Sequence, residues 1–558
     1  MPVGDPIDIR YVPAYQLLQG LTTSKDCYST HSRVKMRPFL LTTALAILTP
    51  HQASAATFNS TACTSLSNLR LSNGSQINLA VSLPSGSNFT GNSVETSYNT
   101  AQANLPALCR VAFEVETSPN STALAEIWLP EPSTWNGRFL AVGNGGFAGG
   151  VNYPDIVWGA RKGFATMSTN TGHDSTSSNG TWMLDNPEAL VDFGHRALHV
   201  TTGVAKMIVE AYYGMKEGQG LNAVQRYPND YDGVLVGSAI PSQTNTSAWQ
   251  IYVALEQFPN NRSSYIPGSM WTTIDQAVLE QCDGLDGVED GIIMDPRECQ
   301  FQPEVLLCSN GTTTDCLNID QLLNLKRMYT PWLDSTNHTI NPGLSPSGEE
   351  GFSYLMNGAE PQFGPSFYRY AVFNDSAWDW STLTPETVRF AQEMNPGGMN
   401  AYNPDMRGFE KKGGKILQYH GFADPVIPAG VAWTWAEAVE KFYESVGRSG
   451  GVDDFFRLFM VPGMGHCSGG VGAWVLDAAS QDGISPLQDD SSHSMLWSLV
   501  GWVEKGEETA PESVTATKYV NDTAALGVDF ERDVCRWPNV AWYVDENETW
   551  VCPGVGGH

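Results

Sequence analysis

Two side chains of this sequence, Asp424 and His466, have the types and local settings that acid–base chemistry needs. His466 stands in Pro462-Gly-Met-Gly-His466-Cys467-Ser-Gly-Gly470, a glycine-rich turn just after the apolar run Phe455 to Val461. Imidazole titrates near neutrality and is the usual general base, and one carried on a loop at a strand end is positioned rather than buried. Asp424 has a similar setting, the polar turn Gly421-Phe-Ala-Asp424-Pro425 that closes the apolar run from Lys415. A carboxylate there can hold the imidazole tautomer and stabilise the cation while the ring takes a proton. Alone, Asp424 reads as a turn former before proline and His466 as a solvated loop residue. Together, with the helical segment Ala429 to Val446 between their strands, they form a candidate acid and base.

The order strand, acid, helix, strand, base is that of α/β-hydrolases, which place Ser, acid and His at the carboxyl ends of successive strands. A second element of such chemistry is the loop Gly143-Asn-Gly145-Gly146-Phe-Ala-Gly-Gly150, which follows the strand Arg138 to Gly143. Its amides, at Gly145 and Gly146, could approach a ligand closely enough to form an oxyanion hole; the alternative is a plain tight turn. A serine in the matching place is absent. Only Gly447-Arg-Ser449-Gly-Gly451 fits G-x-S-x-G, but it follows a helix and lies between Asp424 and His466, so it reads as a helix stop. Ser468 is too close along the chain to His466 to present its hydroxyl to that ring.

A third constellation is Cys282-Asp283-Gly-Leu-Asp286-Gly-Val288-Glu-Asp290-Gly-Ile292. Carboxylates at intervals of three and four, separated by glycines, can wrap a hard cation such as Ca²⁺, with the carbonyls of Val288 and Ile292 filling gaps. The spacing is not that of an EF-hand, and an Asp/Gly turn is the other reading.

The elements that must position these residues alternate. Strands are expected at Cys109 to Val115, Ala125 to Pro130, Arg138 to Gly143, within Gly163 to His173, and from Tyr231 to Gly237. Val191 to Tyr213 has the spacing of an amphipathic helix, and Leu221 to Tyr227 is helical again. Almost nothing separates these two helices, where an alternating order calls for a strand. Residues 241–400 differ in texture, being rich in Trp, Asn and Pro, and read as an inserted cap between two parts of an α/β core, 56–240 and 401–558. Cap aromatics such as Trp249, Tyr252, Phe258, Tyr265, Trp271, Phe363, Phe367 and Tyr368 could line a pocket, although most are expected to be cap core.

Met36-Arg37, the apolar run Phe39 to Leu48, and Ala53-Ser-Ala55 have the form of a signal peptide over 36–55, which makes residues 1–35 an upstream extension and predicts a start assigned too early. The net charge is −29, and removing 1–55 makes it two units more negative. That argues against nucleic acid and anionic membranes as partners. About a dozen N-x-S/T sequons, Asn88, Asn120, Asn179 and Asn337 among them, fit an extracellular compartment. Nine cysteines follow the leader. Local spacing pairs Cys282 with Cys299, Cys308 with Cys316 and Cys535 with Cys552, leaves Cys63 with Cys109, and makes Cys467 the odd one out.

Beyond its leader the chain resembles the tannase and feruloyl esterase family of secreted serine esterases over nearly its whole length. The matching residues are Gly143-Asn-Gly-Gly-Phe147, Gln225-Arg-Tyr-Pro228, Tyr231-Asp-Gly233, His420-Gly-x-Ala-Asp424 and Gly463-Met-x-His-Cys467. The resemblance implies an α/β-hydrolase core and hydrolysis of phenolic esters, gallates or hydroxycinnamates, as in tannins or plant cell walls. It implies Asp424 as acid, His466 as base, and Cys467 as a strut disulfide-bonded to the Cys preceding the nucleophile. It also implies structural calcium in the cap, at the loop bracketed by Cys282 and Cys299. In that family the nucleophile stands in a Gly-Cys-Ser-x-Gly-Gly-Arg elbow, which should fall between Tyr213 and Gln219; Gly214-Met-Lys-Glu-Gly218 stands there instead. The chain as written is therefore expected to be inactive, and the alternative class is a secreted binding protein that keeps cap and calcium.

Overall fold

The computed structural model describes residues 8–12 and 60–553, apart from 73, 214–220, 310–313, 449, 479–480, 482–483 and 545–548. The segment read as a signal peptide, the short join after Tyr213, and Ser449 lie outside the described residues.

The main strands are β1 (Asp8–Val12), β2 (Gln76–Leu83), β3 (Leu108–Ser118), β4 (Ser121–Pro130), β5 (Phe139–Val142), β6 (Ala165–Thr169), β7 (Gly233–Gly237), β8 (Lys415–Gly421) and β9 (Phe456–Val461). They form one sheet in the order β9-β8-β7-β1-β5-β6-β4-β3-β2. From β9 to β6 every pairing is parallel, and the β6, β4, β3, β2 edge is antiparallel. The position between β5 and β7, where the two successive helices leave no strand, is filled by β1. Ile9 pairs with Leu140 on one side and with Gly233 on the other, so neither neighbour has an open edge there.

The longer helices are α1 (Tyr153–Arg161), α2 (Ala197–Tyr213), α3 (Gln243–Gln257), α4 (Met270–Cys282), α5 (Ile319–Met328), α6 (Pro385–Met394), α7 (Gly430–Ser445) and α8 (Met495–Lys505). Parallel strands covered on both faces are buried throughout, and this holds for the interior strand β7 and for β9 at the sheet edge, which is why both are near-continuous apolar runs. Successive side chains take opposite faces. Leu235, Leu417 and Phe459 join the core under α1 and α8, with Ile156, Leu499 and Trp502, whereas Val234, Ile416 and Leu458 join the core under α7, with Trp435 and Val439. Helix α2 covers the antiparallel half, placing Val204 and Ile208 with Val111, Phe113 and Ile127. The single helix expected over Val191 to Tyr213 widens into a π-turn at Asp192–Arg196, where the buried Asp192 accepts from Thr117, Ser121 and Arg196.

Residues 241–400 carry α3 to α6 and two cores of their own. One gathers Trp249, Trp271, Ile274 and Phe352; the other joins Ala248, Ile251, Phe363, Phe367 and Tyr368 to Phe147 of the glycine loop, which seats the cap on that loop. Most of the cap aromatics are core: Trp249, Trp271, Phe363, Phe367 and Tyr368 are buried, while Phe258 is 37 % exposed. Disulfides join Cys63 to Cys109, Cys282 to Cys299, Cys308 to Cys316 and Cys535 to Cys552. No helix among the described residues is long and apolar enough to cross a membrane.

Candidate active site

Asp424 and His466 leave the carboxyl ends of adjacent strands. β8 and β9 pair in parallel through His420 opposite Met460 and Gly421 opposite Val461, so the turns that follow start side by side. Those turns are then stitched together: the Phe422 and Ala423 N–H groups donate to Val461 O and Met464 O, each at 3.0 Å. Gly421 permits this approach, since a Cβ at that position would stand inside the contact shell of the Met464 and Gly465 carbonyl oxygens. The His466 turn folds back on itself, with Gly465 N–H donating to Gly469 O at 3.0 Å and a bridge between Met464 and Gly470. Cys467 takes a left-handed φ of 64° and is buried. Its carbonyl accepts from Gln481 Nε2, whose amide also ties down Trp474 and Leu476.

The outcome is a 2.7 Å contact between His466 Nδ1 and Asp424 Oδ2. Because a carboxylate oxygen accepts there, Nδ1 carries a hydrogen, which leaves Nε2 as the ring nitrogen turned away from Asp424. Asp424 is fully anchored: Oδ1 accepts from the Val426 and Ile427 N–H groups, both at 2.9 Å, and a second imidazole, His420, lies 3.3 Å from Oδ2. Burial opposes its charge, but the facing imidazole of His466 and the hydrogen bonds of His420 and His466 outweigh it and hold the carboxyl well below its usual range. His420 was legible only as part of a matching motif; nothing in its spacing foretold a contact with the acid.

Gly145 and Gly146 sit at the end of β5. Gly146 has φ 56°, and a Cβ there would lie 2.6 Å from Ser177 O and 2.9 Å from the Phe363 ring, so only glycine fits between the loop and the cap. The Gly145 N–H donates to Tyr98 Oη at 2.9 Å. His173 braces the loop from beneath: its Nε2 lies 3.0 Å from Phe147 O and its ring stacks on Trp182 at 3.7 Å. Burial pushes the His173 imidazole down to about 4, so it is a neutral donor to that carbonyl. Tyr98 and His173 are loop supports that no spacing in the sequence marks.

The chain as a whole resembles known proteins. The model of the tannase and feruloyl esterase family matches residues 109–550. The chain belongs to that family. Among its members, a probable feruloyl esterase B-2 of Aspergillus flavus is 34 % identical over 472 residues, covering 80 % of this chain and 88 % of that one. Two similar solved structures are an esterase and a feruloyl esterase B, both from Aspergillus oryzae. The esterase superposes with a TM-score of 0.81 at 32 % identity, over 89 % of this chain and 100 % of its own. The feruloyl esterase B superposes at 0.80 and 30 %, over 88 % and 99 %. This member of the tannase and feruloyl esterase family therefore has the α/β-hydrolase-type core expected of it.

The acidic loop of the cap lies far along the chain from these turns. Asp283 accepts from Gly291 N–H, Asp286 Oδ1 from Val288 N–H and Asp290 Oδ1 from Ile292 N–H, and Asp290 Oδ2 pairs with Arg532 at 2.6 Å. Burial, followed by the charges of Asp290 and Asp283, raises the Asp286 carboxyl. Among the described residues no three His, Cys, Asp or Glu side chains converge tightly enough to hold a metal ion. Asp286 Oδ2 is nonetheless buried with no hydrogen-bond partner among the described residues, an orphaned oxygen in a set of mutually repelling hard donors, so the donor chemistry fits a cation such as Ca²⁺.

Proposed function

We propose that this chain has the scaffold and the acid–base half of a serine esterase for phenolic esters, gallates or hydroxycinnamates, and that it does not hydrolyse them as written. The contact of His466 Nδ1 with Asp424 Oδ2 carries the reading: the acid sets the tautomer, and Nε2 is free to accept a proton from a nucleophile. The Gly146 N–H would stabilise the oxyanion, whereas that of Gly145, counted with it from the sequence, is committed to Tyr98 Oη. The sequence between Tyr213 and Gln219 supplies no serine elbow. Loss of a triad nucleophile lowers kcat on the order of 10⁶-fold. The signal-like segment and the acidic charge favour a secreted protein.

In the cap, Asp283, Asp286 and Asp290, with the carbonyls of Val288 and Ile292, would hold structural Ca²⁺. Bound there, the ion would neutralise clustered charge and order the loop between Cys282 and Cys299.

The test is hydrolysis of methyl ferulate and methyl gallate by the chain as written and by a version carrying a Gly-Cys-Ser-x-Gly-Gly-Arg elbow after Tyr213. Activity only in the second is expected. Turnover by the first that survives Ser449→Ala and disappears in His466→Ala would overturn the inactive reading, and sequencing the transcript across these codons would show whether the elbow is encoded.

A further inference from the structure

We propose that His420 is a positioning residue for the Asp424–His466 pair, a second imidazole that shares the acid's outer oxygen and locks its rotamer. This rests on the reading of Asp424 and His466 as acid and base, but on nothing about a nucleophile.

His420 is the last residue but one of β8 and is fully buried. Its Nε2 lies 2.9 Å from Ile427 O and 3.3 Å from Asp424 Oδ2. A carbonyl oxygen can only accept, so Nε2 bears a hydrogen that is given to Ile427 O, with the carboxylate oxygen as its longer second neighbour. Nδ1 is buried with no hydrogen-bond partner among the described residues. A hydrogen placed on Nδ1 would be a buried donor without an acceptor, so the surroundings suit the Nε2–H tautomer. Its neighbours on the same sheet face are uncharged: Gln418 lies two positions earlier on β8, and Ser238, whose N–H donates to Tyr419 O at 2.8 Å, follows β7 beside it.

Ile427 is held from both sides. Its N–H donates to Asp424 Oδ1 while its carbonyl accepts from His420. The ring thus closes the turn from Asp424 to Ile427 into one unit, and the carboxylate cannot rotate without breaking bonds on both oxygens. By drawing on Oδ2, His420 also weakens the share that His466 receives. The acid is aimed firmly but holds the base less tightly than a sole partner would.

The experiment is NMR of the full chain with ¹⁵N-labelled histidine. In the wild-type protein His420 should carry a hydrogen on Nε2; a ring whose hydrogen sits on Nδ1 alone overturns the proposal without any variant. The low-field Nδ1–H resonance of His466 is the second readout. It should move downfield in His420→Leu, which removes the competing donor, and by less in His420→Gln, whose amide can still donate. A resonance that stays in place or moves upfield in His420→Leu overturns the proposal. Asp424→Asn separates the two readings: the resonance should vanish there, and its persistence would sink the acid–base pair itself.

Discussion

His466 Nδ1 and Asp424 Oδ2 stand 2.7 Å apart although 42 positions of sequence separate them. The contact exists because β8 and β9 are parallel neighbours in register and their two closing turns are hydrogen-bonded to each other. The pair is therefore as rigid as the sheet that carries it, and the expectations below follow from how it is held.

Asp424→Ala removes an acceptor that serves the Val426 and Ile427 amides and His466. Leaving buried donors unpaired should lower stability by about 3 kcal/mol, read from urea unfolding. Because the Asp424 carboxyl is held below its usual range, its contribution is present above the unfolded carboxyl pKa and is lost only as pH falls through its depressed folded value. The wild-type advantage over the variant should therefore persist through mildly acidic pH. An advantage that vanishes at pH 5 would contradict a stabilised carboxylate.

Gly421→Ala tests the approach of the two turns. The added methyl meets two carbonyl oxygens of the His466 turn, both backbone, so the turns must part. A loss of about 2 kcal/mol or more is expected, together with disappearance of the low-field His466 resonance. Retention of both stability and resonance would show that the turns are not held by this contact.

Glu349 makes stability fall with rising pH. Its carboxyl is fully buried, accepts from Tyr329 Oη at 2.7 Å and from the Ser347 and Gly348 amides, and faces Asp275. Burial, with the nearby Asp275, pushes it up to about 7 despite the tyrosine bond. A raised folded pKa means a contribution that is full below the unfolded value and is lost as pH climbs through about 7. The segment also touches the acid's turn, since Gly348 packs on Ala423 and Gly351 on Pro425. Glu349→Gln should flatten the decline of unfolding free energy between pH 5 and 8 by roughly 2 kcal/mol. An identical slope in wild type and variant would reject this role.

Calcium should stabilise the cap. At a hundredfold excess over its Kd the ion should add roughly 3 kcal/mol to unfolding, measured by calorimetry with and without chelator, and Asp286→Asn should abolish most of that gain. A chelator-insensitive melting temperature would leave the loop as a hydrogen-bonded Asp/Gly turn.

Much of the core was legible because its strands and helices declare themselves locally. Alternation and apolar runs locate β3 to β9 to within a few residues, and Met495 to Lys505 is helical as its spacing indicates, capped by Ser494. The acid and base could be named because a polar turn after an apolar run is a local signal. The supports were not legible: Tyr98 under Gly145, His173 under Phe147 and His420 beside Asp424 are single polar residues whose roles depend on what folds against them.

The strand between β5 and β7 marks the division most clearly. Composition, spacing and chain order by themselves pointed to an α/β core, an inserted cap, and Asp424 and His466 in successive strand-end turns, because each is written in contiguous residues. Only the tertiary structure decided that Asp8–Val12 lies between β5 and β7 and that Asp424 has the imidazoles of both His466 and His420 beside it. Those are pairings between residues tens to hundreds of positions apart, set by which backbone edges need partners and which side chains the fold brings face to face.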